Sequence, residues 1–214
     1  MASTIWRKKR FLTLWGAQAI SLVGDQIYLL ALPLLVYDIT KSGTQMSFVF
    51  AFEMLPYVVF SLIGGVLSDK WNRKHAMVWG NLLAILPLAS IVLLYNLDLL
   101  AMWHIYVAAF LLSSVVSIVL PAFEASIPNI LNQEELLAGN SLIETTVSGS
   151  QILGPIVAGA VIGLFGADIA ILINAISFLC SALLFLTIRM EQRQTLAEGS
   201  KIKAILASLW EGLR

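Results

Sequence analysis

Long apolar runs alternate with short polar segments along almost the whole chain. A transmembrane helix needs about 20 mostly apolar residues, and cuts at turn residues and charge clusters leave six runs of that length. The pattern therefore predicts an all-α membrane protein in which residues 1–188 form a bundle of six transmembrane helices. The predicted helices cover residues 11–37, 46–67, 76–95, 103–123, 141–165 and 168–188.

The segments between the runs are predicted to be loops. The longest is 124–140, whereas only Gly166 and Ala167 separate the fifth helix from the sixth. After the sixth helix, residues 189–214 begin as a polar linker and continue with apolar residues at helical spacing. This tail reads equally as an amphipathic helix in the cytoplasmic membrane interface or as the start of a soluble domain. Because the helical pattern runs up to Arg214, the chain looks unfinished.

Composition excludes several classes of protein. Apolar residues make up 59% and charged residues 12% of the chain, against about 45–50% and 25% in soluble domains, so a soluble fold is excluded. The 13 basic and 13 acidic residues balance, which leaves no basic excess for binding nucleic acid. Cys180 has no second cysteine to pair with, and the two distant histidines form no metal-ligand cluster with it.

The basic residues predict the orientation in the membrane. Of the 13 lysines and arginines, only Lys41 lies in a loop on the side opposite the N-terminus. The others lie before the first helix, in the second loop or in the tail. Positively charged loops stay on the cytoplasmic side, so both termini are predicted to be cytoplasmic, in the inner or plasma membrane of the cell.

Three acidic residues fall inside the predicted helices. They are Asp25, Glu53 and Glu144, and a charge at the bilayer centre costs about 2.5–3.5 kcal/mol on insertion scales. Such residues are candidates for proton or substrate binding. Gln18 and Ser21 share the helical face of Asp25.

In the fifth helix a polar stripe contains Glu144 and Gln151, together with Asn140 and Ser148. Roles other than proton or substrate binding also remain open for these positions. Glu144 can simply reach cytoplasmic water. Asp25 and Glu53 can be structural acids that bond to neighbouring helices, and the polar residues of the sixth helix, Asn174, Ser177 and Ser181, can hold helices together.

The second loop carries a recognisable motif. Gly65, Asp69 and Arg73 follow one another at intervals of four residues, in the segment GGVLSDKWNRKHAM, with Lys74 next. This segment resembles the G-x-L-x-D-R-x-G-R-K signature of the major facilitator superfamily, although Lys70 and Asn72 depart from it. The resemblance implies that Gly65, Asp69, Arg73 and Lys74 form a cytoplasmic gate.

The fifth helix carries a second motif, in the segment SQILGPIVAGAVIG. Gly159 and Gly163 form a GxxxG pair, for which close helix contact is expected, and Pro155 frees a backbone carbonyl and can bend the helix. With Gly154, this segment resembles the antiporter signature of drug-exporting facilitators, from which Ala158 and Ser150 depart. Gly154, Pro155 and Gly159 are then expected to let the helix flex. The first helix resembles the macrolide-efflux branch of these exporters.

The resemblance implies a twelve-helix transporter of two halves that works by alternating access, of which this chain is the first half. Helices 1, 2, 4 and 5 would line its cavity. The expected activity is proton-driven efflux of small amphipathic organic molecules, with no cofactor besides the proton gradient. Proton or substrate contacts are assigned to Asp25, Glu53, Glu144, Gln18 and Gln151.

The expected partners are the lipid bilayer, the small-molecule substrate and either the missing half or a second copy of the chain. Export of a siderophore or a metabolite is an alternative. A truncated, non-transporting six-helix protein that needs a partner half is another. An intramembrane enzyme has less support, since the predicted helices contain neither a cluster of catalytic residues nor a GxSxG nucleophile signature.

Overall fold

The computed structural model describes residues 5–68 and 72–188, with residues 61–68 described by their backbone. Six long α-helices and no β-strand occur in these two stretches, which confirms the predicted fold class. We number them α1 to α6 in chain order. They are Lys9–Thr40, Gly43–Ser68, Arg73–Asn96, Met102–Ile130, Gln133–Phe165 and Ala167–Thr187.

In the part of the chain that the structure describes, α1 and α3 to α6 are long and apolar enough to cross a membrane. The last turns of α2 belong to the segment described by its backbone, so its span remains the prediction made from sequence. The predicted tail helix lies in 189–214, outside the described residues, and the division of the chain at residue 188 therefore remains a prediction as well.

The helices pack as two units of three. Helix α6 packs along α1 and α3, α4 packs along α2 and α3, and α5 lies against α1. These main contacts correspond in pairs: if α1, α2 and α3 are relabelled α4, α5 and α6 and the reverse, the same pairs of helices are in contact. The two sets of three helices therefore have the same pattern of main contacts, which is the pattern expected of two repeats of three helices.

Two apolar clusters form the core. One includes Phe11, Met77 and Phe123, close to the end of the bundle that holds the start of α1. The other includes Leu32 and Ile171, toward the opposite end. Along the helices, most of the buried polar side chains fall between these clusters or at the inner edge of the second one. These are Ser21, Asn81, Ser113, Ser117, Asn174, Ser177 and Ser181.

The predicted loop 124–140 was wrong. Helix α4 continues to Ile130 and α5 begins at Gln133, so only Leu131 and Asn132 separate them. The turn is held by a capping box in which the Glu135 carboxylate accepts a hydrogen bond from the Asn132 backbone N–H at 2.9 Å. Both helices continue past their apolar runs. A helix end that lies outside the membrane can consist of polar residues, provided that its terminal backbone groups are capped.

Candidate functional site

A cavity of about 620 Å³ lies between α1, α4 and α5. Its walls are mainly apolar and include Leu22, Leu120 and Phe123. This volume falls in the range of about 300–1,000 Å³ that is usual for small-molecule sites. The polar residues that line it are Gln18, Glu124, Asn140, Glu144 and Thr146.

The cavity brings together some of the predicted site residues and leaves others out. Gln18 and Glu144 line the same space from α1 and α5. Gln151 is exposed on α5 but is not among the residues that line the cavity. Helix α2, which the resemblance placed around the cavity, contributes none of its described residues to it.

Glu124 was missed by the sequence interpretation because it was assigned to a loop. It belongs to α4 and lines the cavity on the same face as Leu120, one turn earlier. The spacing of four residues between Leu120 and Glu124 indicates a shared helical face, but only if the helix is known to continue past Phe123. The cavity therefore contains two carboxyl groups, one from α4 and one from α5.

Asp25 lies on α1, further from the chain's N-terminus than Gln18, and contacts α6. The Asn174 side-chain amide donates a hydrogen bond to Asp25 Oδ1 at 3.3 Å. The Ser177 hydroxyl lies 3.0 Å from Asn174 Oδ1 and can donate to it, so the amide nitrogen is turned toward Asp25. Asn174 is fully buried. Asn174 therefore contacts the candidate proton site, whereas its sequence position suggested only that it can hold helices together.

The contact between α1 and α6 depends on Gly24. A Cβ atom at this position would lie 2.7 Å from Ser177 Cβ and would also collide with the Asn174 side chain. Only glycine permits this approach of the two helices. Because Gly24 directly precedes Asp25, it sets the distance between the carboxyl group and Asn174.

Glu53 comes to the same region from α2 and is buried, with 6% of its surface exposed. Tyr28 and Tyr57 each lie close enough to Asp25 and Glu53 to interact electrostatically with both carboxyl groups. The structure thus groups two predicted acids with two phenols. Among the described residues, the ion pairs are Lys8 with Glu135 and Lys41 with Asp38, so neither Asp25 nor Glu53 is neutralised by a basic side chain there.

A second, small pocket of about 30 Å³ lies beside Asp25, between α1, α3, α4 and α6. Gln18, Ser21 and Asp25 all line it, which confirms that they share one face of α1. Asn81 lines it from α3. Gln18 and Leu120 line both this pocket and the large cavity, so these two side chains stand between the cavity and Asp25.

The residues of the predicted gate are described only in part. Gly65 lies in α2, and Asp69 lies outside the described residues, so the gate stays a prediction. The Arg73 guanidinium donates a hydrogen bond to the Ala125 carbonyl of α4 at 2.6 Å, and Lys74 Nζ donates to the Leu186 carbonyl of α6 at 2.6 Å. Both side chains therefore tie the start of α3 to a neighbouring helix, Arg73 to α4 and Lys74 to α6.

The glycines of α5 differ in their surroundings. A Cβ atom at Gly154 would lie 2.6 Å from Gln26 Cβ on α1, whereas a Cβ atom at Gly159 or Gly163 would meet nothing within 4 Å. The close contact expected at the GxxxG pair is therefore not made within the described part of this chain, and Gly154 makes it instead. Pro155 lies inside the continuous helix α5 and leaves the carbonyl of Gln151 without its helical N–H partner.

This difference predicts opposite effects for two similar substitutions. Gly154→Ala should lower the stability of the purified protein by about 1–3 kcal/mol, because the added methyl group forces α5 away from α1. Gly159→Ala should leave stability unchanged or raise it by up to about 1 kcal/mol, since alanine favours a helix. Thermal unfolding in detergent measures both. Equal losses of stability would show that the α1–α5 contact is not the cause.

Comparisons with known proteins agree on one family. A family model described as the Major Facilitator Superfamily matches residues 14–214. The uncharacterized MFS-type transporter YfiS of Bacillus subtilis is 29% identical over 97% of this chain and 49% of its own length. Macrolide efflux protein A of Streptococcus pyogenes is 25% identical, over 86% of this chain and 45% of that protein.

The multidrug efflux pump Tap of Mycolicibacterium fortuitum is 27% identical, over 89% of this chain and 48% of the pump. The chain thus spans about half the length of the curated relatives it matches.

Proposed function

Because the chain belongs to the Major Facilitator Superfamily, we propose that it is the N-terminal half of a secondary transporter that exports small amphipathic organic molecules in exchange for protons. The observation that carries the proposal is the arrangement of the two cavities. A ligand-sized space between α1, α4 and α5 is separated by Gln18 and Leu120 from a pocket that holds Asp25. Substrate and proton would thus bind side by side.

The lining of the large cavity supports an amphipathic substrate with a positive charge. Apolar walls favour an apolar body, and Glu124 and Glu144 attract a cationic group. The names of two relatives, a macrolide efflux protein and a multidrug efflux pump, support export rather than uptake. Gln18 would contact the substrate from α1. Gln151, exposed on α5, would reach it only when a second half closes the cavity.

For the proton we propose Asp25 as the main binding site, with Glu53 as a second titrating group. A carboxylate without a basic partner is costly in a membrane protein, so protonation would allow the half to change its conformation. Asn174 would hold the carboxyl group in one orientation through its hydrogen bond to Oδ1. No cofactor is needed in this scheme, because the proton gradient supplies the energy.

We further propose that Gly65, Asp69, Arg73 and Lys74 close the cytoplasmic side, and that Gly154, Pro155 and Gly159 let α5 move during alternating access. We propose that both termini lie in the cytoplasm of a cell whose plasma or inner membrane holds the protein, since the distribution of basic residues favours this orientation. A second half, or a second copy, would supply the missing wall of the large cavity. The intact mass of the native product, isolated from membranes, tests that part: a mass near twice 23.4 kDa supports a single twelve-helix chain.

Transport of a fluorescent lipophilic cation into inverted membrane vesicles under an acid-inside gradient tests the activity. The double variant Glu124→Gln and Glu144→Gln should raise the apparent KM for the dye roughly tenfold, since charge-assisted contacts are lost. Glu134→Gln is the control, because Glu134 is an exposed acid of α5 that does not line the cavity. Equal transport in vesicles with and without the protein would refute the proposed activity.

A further inference from the structure

The small pocket beside Asp25 contains a buried oxygen atom that the proposed transport cycle does not use. Asn81 has 2% of its surface exposed, and its side-chain amide donates to the Met77 carbonyl of its own helix at 2.7 Å. Its other side-chain atom, Oδ1, is buried and has no hydrogen-bond partner among the described residues. A buried polar atom without a partner costs about 1–3 kcal/mol, so an occupant that satisfies it is expected.

The pocket has the size and the chemistry for one small ion. Its volume of about 30 Å³ is the space of a single water-sized particle. All the polar groups that line it carry oxygen: the Asp25 carboxylate, the Ser21 hydroxyl and the side-chain amides of Asn81 and Gln18. Oxygen atoms of carboxylates and carbonyls are the ligands that hard cations prefer.

The charge of the pocket selects a monovalent cation. Asp25 is the only acidic residue among those that the structure shows lining it, and no basic residue lines it there. One positive charge neutralises one carboxylate, whereas a divalent ion would leave an excess positive charge in a region of low dielectric constant. Within the described chain, no group of three His, Cys, Asp or Glu residues forms a conventional metal site.

We propose that this pocket binds one sodium ion, held by the Asp25 carboxylate, Asn81 Oδ1 and the Ser21 hydroxyl, with Gln18 on the side of the large cavity. The inference deepens the proposed function, because it places a second neutralising ion at the carboxyl group that is proposed to carry the proton. Asp25 interacts electrostatically with Tyr28 on α1 and Tyr57 on α2, and Glu53 on α2 interacts with the same two tyrosines. The described pocket residues of α3, α4 and α6 are not titratable.

Thermal unfolding of the purified protein in detergent tests this site without any transport. At one pH and one ionic strength, NaCl should raise the apparent unfolding temperature above that in KCl or choline chloride. A sodium concentration of about ten times Kd should give a rise of roughly 3–6 °C. Equal unfolding temperatures in the three salts would overturn the proposal.

Variants connect the sodium effect to the pocket. Asn81→Leu should abolish it, and Ser21→Ala should weaken it. Asn96→Leu is a matched control, because Asn96 lies on the same helix and donates the same type of hydrogen bond, to the Val92 carbonyl at 2.8 Å, but is exposed and outside the pocket. A sodium effect that survives both pocket substitutions would overturn the assignment.

Equilibrium binding of radiolabelled sodium to the same preparations provides a second measurement if Asn81→Leu proves too unstable. Ser21→Ala should then show a higher Kd than the unmodified protein, and an unchanged Kd would count against the site. Because neither readout involves transport, a failure of sodium binding leaves the efflux assay valid. A failure of efflux likewise leaves the binding result valid.

Discussion

Asp25→Asn should reduce proton-driven efflux to the level of vesicles that lack the protein. An asparagine has nearly the shape of the aspartate but cannot bind or release a proton, so the substitution removes the proposed coupling step. The Asn174 contact on α6 can persist if the new amide turns its oxygen toward Asn174 Nδ2. The measurement is dye uptake into inverted vesicles under an acid-inside gradient.

A matched control separates this effect from a general loss of negative charge on α1. Asp38 lies on the same helix, is exposed, and forms its ion pair with Lys41, so Asp38→Asn should transport at the normal rate. Both variants should also bind the dye with normal affinity, because neither residue lines the large cavity. Undiminished proton-driven transport by Asp25→Asn would remove Asp25 from the mechanism.

Gly24→Val should cause a large loss of stability of the described bundle. A Cβ atom at this position already lies 2.7 Å from Ser177 Cβ, and valine adds two further methyl groups. Overpacking typically costs about 1–3 kcal/mol and at times more, which corresponds to a fall in unfolding temperature of roughly 2–12 °C for a chain of this size. Thermal unfolding in detergent measures the fall.

Gly16→Val provides the comparison for Gly24→Val. Gly16 lies two turns earlier on α1, and a Cβ atom there would meet nothing within 4 Å. Its substitution should therefore leave the unfolding temperature nearly unchanged, since valine is a better helix former than glycine. If both variants lost stability to the same degree, the cause would be valine in α1 in general and not the contact between α1 and α6.

The candidate site could be predicted in part, because one helical face is a local property of the sequence. Gln18, Ser21 and Asp25 were placed together by their spacing, and they line one pocket. Asn81 and Asn174 were not assigned to that site, since they come from helices about 50 to 150 residues further along the chain. Periodicity shows which face of a helix is polar but not which other helix it meets.

Glycine illustrates the same limit. The GxxxG pair in α5 predicted close contact at Gly159 and Gly163, yet a Cβ atom would meet nothing there, whereas at Gly24 and Gly154 it would collide with a neighbouring helix. A glycine permits close approach, but the sequence contains no information on whether a neighbouring helix uses it. The contact is decided by how α1, α5 and α6 pack.

The sequence by itself determined that this is an all-α membrane protein, and the motif in the second loop indicated the family that the comparisons confirm. Both conclusions rest on local properties: the length of apolar runs and the spacing of a few residues. The tertiary structure decided that Glu124 faces the large cavity, that Asn174 contacts Asp25, and that Asn81 faces the small pocket. These facts depend on contacts between helices that are far apart in the sequence. Such contacts form only when the apolar faces of the helices pack together and leave the polar side chains between them.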